Sequence, residues 1–194
     1  MTSAEVAALF KLGLGEDGLE PFTASHAFRV EPERHGPPRI VAAPHRDQVG
    51  LLIDLSRTLP APFHLVYVAL ATRGLRPTGR YQSMRPLTRE ELEGFLSRFR
   101  PFLEQDGRHH LWIGSADEPS TLVYDQHQLL LLYGRLEAYA AVLRAAGMGE
   151  GPVPPTPEPH RHLVHEPFDA AENDLLGSRG WTWNPLEPED EEVE

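Results

Sequence analysis

From His109 to Gly147 the runs HHLWIG, TLVYDQH and LLLLYG succeed one another, and RLEAYAAVLRAAG follows at once. Three short apolar runs separated by turn residues, then apolar positions at helical spacing, predict a sheet meander closed by a packing helix. Side chains alternate along a strand, so His110 and Trp112 share one face of the first run and Leu111 and Ile113 the other. TLVY is apolar on both faces, as is every position from Leu129 to Leu132. These two strands are therefore expected at the centre of a sheet covered on both sides. Leu136, Tyr139, Ala140 and Leu143 form the inner stripe of the helix, and Gly147 is placed to end it.

Upstream, a short helix around Ala4 to Leu12 and a Gly-rich turn are expected, then strands at Phe28 to Glu33 and Arg39 to Ala43. Val49, Leu52, Ile53 and Leu59 recur at helical spacing and predict a helix over 45–58, ended before Pro60. FHLVYVAL, residues 63–70, reads as a buried strand. Thr88 followed by Glu91 is a capping box, and Leu92, Phe95, Leu96, Phe99, Phe102 and Leu103 then lie on one stripe. Within this helix, 88–105, Pro101 predicts a kink or a new short turn, because proline lacks the amide donor and clashes with the preceding turn.

Five prolines in residues 152–159 rule out a helix or central strand there. A strap over 149–159 crossing the surface is expected instead. FDAAENDLLG, 168–177, predicts a short helix turning Phe168, Leu175 and Leu176 inward. The whole reads as a single α+β domain over 1–186, with residues 63–70, 109–114, 121–126 and 129–133 in an antiparallel sheet. Helices 45–58, 88–105 and 135–146 pack against it.

Composition narrows the function classes. With 194 residues and 40% hydrophobic content, one domain with its own core is expected. The net charge is −11, and residues 187–194 carry six acids and no base, which predicts a disordered acidic tail. The rest of the chain is acidic too, which argues against a nucleic-acid partner, because phosphate contacts need a basic footprint. Cysteine is absent, so disulfides, thiolate metal sites and cysteine nucleophiles are excluded. MTSAEVAALFKLGLGEDGLE lacks the basic start and long apolar core of a secretion signal, and no run reaches membrane-spanning length. A soluble cytoplasmic protein without a membrane partner is the expectation.

From Leu111 onward the order LWIG, TLVYDQHQLLLLYG, an AYAAVLRAAG helix, PHRHLVHEPFDAAE and a late WTW resembles uncharacterised small bacterial proteins, some of a kind seen beside toxin genes as immunity proteins. YDQH, 124–127, and PHRHLVHEPFDAAE, 159–172, are its most specific pieces, and it covers roughly the C-terminal half. The resemblance implies an α+β fold and a partner-blocking role. It carries over no catalytic residue.

Two constellations could carry chemistry. His160, His162 and His165, with Glu166 and Asp169 following, are the metal candidates, since imidazoles and carboxylates suit zinc, iron and nickel. His160 and His162 would project together from an extended strand, while a strap whose histidines simply pack on the domain is the alternative. Asp125 stands two residues before His127 and could orient its imidazole as a general base, or make an ordinary turn. His109 and His110 could add ligands to either site. Nothing resembles a nucleophile elbow or a phosphate loop. Trp181 and Trp183 share one side of an extended segment, where they lock the terminus onto the core or form a binding hot spot.

The expected function is accordingly a non-enzymatic interaction protein of the immunity type, holding no cofactor and neutralising a basic protein partner such as a toxin. The alternative is a metal-dependent enzyme, a hydrolase or oxygenase, binding zinc or iron through the histidines at 160–165.

Overall fold

The computed structural model describes residues 9–32, 36–74 and 76–191. A nine-stranded sheet runs in the order β10 (Gly149–Glu150), β3 (Ala27–Glu31), β4 (Arg39–Ala43), β9 (Leu130–Tyr133), β8 (Thr121–Tyr124), β7 (His109–Ser115), β5 (Phe63–Ala69), β6 (Gly79–Ser83) and β12 (Trp181–Asn184). Every neighbouring pair is antiparallel except β10 with β3. A second sheet places β1 (Leu12–Leu14) between β11 (His160–His162) and β2 (Glu20–Pro21). The chain is thus an α+β fold, and β8 and β9 hold the central positions their apolar composition demands.

Helices α1 (Gln48–Ser56), α2 (Arg89–Gln105), α3 (Leu136–Ala145) and α4 (Asp169–Gly177) share one core with the sheet, in which Leu65, Tyr67, Leu111, Ile113 and Leu132 meet Leu52, Leu96, Phe102, Leu143 and Leu175. The opposite face carries a smaller core of Ala24, Val41, Ala43, Val123, Leu131 and Val153. Val153 comes from the Pro-rich strap, which therefore covers the second face of the β8–β9 hairpin. Leu131 of β9 belongs to this smaller core and Leu132 to the main one, so the unbroken apolar run is explained by cover on both sides.

Local signals explain most helix ends. The Thr88 side chain accepts from the Glu91 amide and the Glu91 carboxylate accepts from the Thr88 amide, completing the capping box. Pro101 starts no new turn, and α2 runs without a break to Gln105. The carbonyl its ring leaves without a donor belongs to Ser97, an exposed residue that water reaches, while Phe99, Phe102 and Leu103 stay seated on the sheet. Gly147 takes the left-handed conformation, φ 82°, just past α3.

Two expectations change, and one strand was not anticipated. Leu12 opens a strand where the end of a helix was expected, and residues 4–8 lie outside the described residues. Strand β6 had no apolar run to announce it: in GRYQS only Tyr81 enters the main core, and pairing with β5 and β12 makes it a strand. The acidic segment from Glu187 was expected to be solvated, yet α5 (Pro188–Glu191) seats a fully buried Asp190 whose two carboxylate oxygens each lie 2.7 Å from Arg80 Nε. Glu187 adds a second carboxylate 3.0 Å from Arg80 Nη2. An arginine on the sheet face, against the Trp112 ring, draws in part of a segment that charge counting alone reads as repelled by its own acids. Residues 192–194 of that segment lie outside the described residues. No helix among the described residues is long and apolar enough to cross a membrane.

Candidate metal centre

His127 sits on the turn from β8 to β9, and the turn is closed on itself. The Asp125 and Leu129 backbones are bonded, Asp125 Oδ1 accepts from the Leu129 amide at 2.7 Å, and Gln128 takes φ 67°. Asp125 is fully buried, and its Oδ2 lies 3.2 Å from His127 Nδ1. With the Asp125 oxygen as acceptor in this contact, Nδ1 is the donor and Nε2 is left to bind an ion.

His160 and His162 arrive from β11, whose register against β1 pairs Leu12 with His162 and Leu14 with His160. They are two apart on a strand and so point the same way. His160 Nδ1 lies 3.1 Å from the Pro157 carbonyl, again an acceptor only, which leaves Nε2 as the free lone pair. His162 is held deep by a close approach of backbones: Gly107 donates to the Leu163 carbonyl at 2.8 Å, and a Cβ at Gly107 would fall 2.9 Å from the Leu163 nitrogen and 2.6 Å from the Lys11 oxygen. Burial first, then the neighbouring His127 and His160, push the His162 pKa down to about 3. It is neutral at physiological pH, the form a metal requires.

The three rings meet edge to face, with centroids 4.7 Å apart for His127–His162, 5.2 Å for His160–His162 and 5.3 Å for His127–His160. One nitrogen from each lies within 4.8 Å of the others, and all three residues are half-buried. A tetrahedral zinc at about 2.05 Å from each nitrogen spaces its ligands about 3.3 Å apart, so small side-chain rotations would seat an ion. Acceptors at Nδ1, the Asp125 carboxylate on His127 and the Pro157 carbonyl and Glu158 carboxylate on His160, already orient two of the rings.

His165 does not join them. Its Nε2 donates to the Phe10 carbonyl at 2.9 Å, and its amide donates to Asp106 Oδ2 at 2.9 Å. The holder of Asp106 is a fully buried Arg108, which bonds Asp106 Oδ1 at 2.7 Å and Oδ2 at 3.0 Å, Glu172 at 2.8 Å, Asp169 at 3.0 Å and the His165 carbonyl at 2.9 Å. Glu166 and Asp169, the acids expected near the metal, turn to Arg73 instead. Of the expected set His160, His162 and His165, the fold brings the first two together with His127 and keeps His165 apart. Sequence spacing favoured the nearest histidine, and the fold supplied one 33 residues upstream of His160.

The remaining candidates sort by burial. His109 is fully buried between Tyr67 and Phe102, ring centroids 5.3 and 4.8 Å away, and burial drives its pKa well below the usual histidine value. His110 is fully buried on the other face, its pKa lowered to about 4, chiefly by burial. Neither belongs to the ligand cluster. Asp125 and His127 are in contact as their spacing suggested, with the aspartate orienting the imidazole. Trp181 packs on the main core, its Nε1 donating to the Leu175 carbonyl at 3.3 Å, while Trp183 is the more exposed indole. Sequence reading gave no role to Lys11, which lies fully buried with Nζ 3.2 Å from the Asp125 carbonyl and 4.0 Å over the Tyr124 ring.

No family model matches this chain, and neither the curated proteins nor the solved structures contain a significant match to it. The geometry therefore carries the functional argument alone.

Proposed function

We propose that this protein binds a divalent transition metal, zinc in the first place, through His127, His160 and His162, and uses it to activate water for hydrolysis. The observation that carries the reading is the convergence of three half-buried imidazoles from two distant segments, their nitrogens within 4.8 Å, with two of the rings oriented by acceptors at Nδ1. Zinc held by three such half-buried imidazoles would keep a position open for water and would lower that water's pKa to about 7. Residue roles follow directly: the three histidines are the ligands, and Asp125 fixes the tautomer and aim of His127. The partner-binding role has the net charge of −11 behind it, but charge names no place on the surface.

Metal analysis and calorimetric titration of the untagged protein test it. One zinc per chain is expected, with affinity falling at least 100-fold in His127→Ala and unchanged in His165→Gln, which keeps a donor for the Phe10 carbonyl. The zinc-loaded protein should hydrolyse an activated ester or phosphodiester, and His127→Ala should not. Equal zinc binding by His127→Ala and the natural sequence would refute the centre.

A further inference from the structure

Two of the three candidate ligands, His160 and His162, stand on β11 just past the strap, and the third lies on the turn of the hairpin that the strap covers. Residues 151–159 have no strand partner, and their described ties include Gly151 donating to the Phe28 carbonyl at 2.9 Å, Arg29 Nη1 donating to the Val153 carbonyl, the Pro159 carbonyl accepting from Gly15 at 2.8 Å, and His160 Nδ1 lying 3.1 Å from the Pro157 carbonyl and 3.2 Å from Glu158. Between these ties the strap's buried contribution is Val153, set against Val41, Val123 and Leu131. Val123 and Leu131 flank the turn that carries His127. An ion held by His127, His160 and His162 would therefore tie the strap to the very hairpin whose second face it closes.

We propose that the metal centre is also a clasp: ion binding tightens the Pro-rich strap over the smaller core, and ion loss leaves it held by the backbone pairing at its two ends alone. The inference rests on the metal reading above, and adds that occupancy is transmitted along the strap to Val153. Prolines favour that transmission, because five of them between 152 and 159 stiffen the segment, so fixing one end constrains the rest. His160 and His162 are both held on β11 by its pairing with β1, and His160 is the ligand next to the strap, so an ion shared with His127 adds a tie between the strap's end and the hairpin turn.

The chain has no cysteine, so Val153→Cys supplies a single thiol buried beneath the strap. Alkylation of that thiol by iodoacetamide, followed by mass, reports how often the strap lifts. One equivalent of zinc should slow the reaction at least tenfold, a chelator should restore it, and in His127→Ala/Val153→Cys zinc should have no effect. Hydrogen exchange on the unsubstituted protein reads the same motion without relying on the variant: the Val153, Thr156 and Glu158 amides should gain protection on zinc addition while α2 does not change. Stoichiometric zinc binding with unaltered alkylation and unaltered exchange would overturn the clasp and leave the centre standing. Absence of zinc binding by the natural sequence would overturn both.

Discussion

Lys11 is the single lysine of the chain and the group whose burial should show most plainly in stability. It is fully buried, and burial lowers its pKa from 10.5 to about 7 against the opposing pull of Asp125, Asp106 and Glu104. At about 1.4 kcal/mol per pH unit, keeping this ammonium charged in the folded protein at pH 7 costs on the order of 4 kcal/mol. The sign follows from proton counts. Between pH 7 and 10.5 the unfolded chain holds a proton on Lys11 that the folded chain has released, so stability rises with pH across that window; below pH 7 both states are protonated and the dependence ends. Lys11→Met keeps a linear side chain and removes the titration, at the loss of the hydrogen bond to the Asp125 carbonyl, worth about 1 kcal/mol at every pH. The variant should be the more stable at pH 7, and its advantage should shrink by about 2 kcal/mol on going to pH 9. Urea unfolding of both proteins at the two pH values measures this, because groups common to both cancel in the difference. Parallel stability profiles, with a constant difference from pH 7 to 9, would refute the reasoning and place the Lys11 ammonium in contact with water.

Further substitutions probe the other buried charges and the sheet. Arg108→Met should destabilise by about 3 to 5 kcal/mol in denaturant unfolding, since Asp106 and Glu172 would be left buried without their cation. Leu131→Ala should cost about 2 to 5 kcal/mol, because a side chain 1% exposed in the smaller core leaves a cavity between Val41 and Val123. Asp190→Ala should cost about 1 to 3 kcal/mol by removing the buried carboxylate from Arg80, and a midpoint equal to that of the natural sequence would mean that the C-terminal segment contributes nothing to the fold.

Period and punctuation in the sequence determined the elements that local physics controls. The unbroken run Leu129 to Leu132 demanded cover on both faces and found it, Thr88 and Glu91 set the start of α2, and Gly147 marked the end of α3. These features need only near neighbours and solvent. Strand β6 was hidden because its apolar content is one tyrosine and its identity as a strand comes from the partners on either side. Glu172 left a faint trace, an acid on the same stripe as Phe168 and Leu175, which is the mark of a buried partner; only the fold names it as Arg108. The candidate site divides in the same way. His160 and His162 were legible because alternation along a strand puts both on one side. His127 was legible as the neighbour of Asp125 and not as a ligand, since its distance from His160 is set by how β1 draws β11 against the end of the main sheet. His165 was excluded by Asp106 and the Phe10 carbonyl, groups 59 and 155 residues away along the chain. Contacts of that separation are decided by the summed packing of the sheet, whose energy no single stretch of sequence contains.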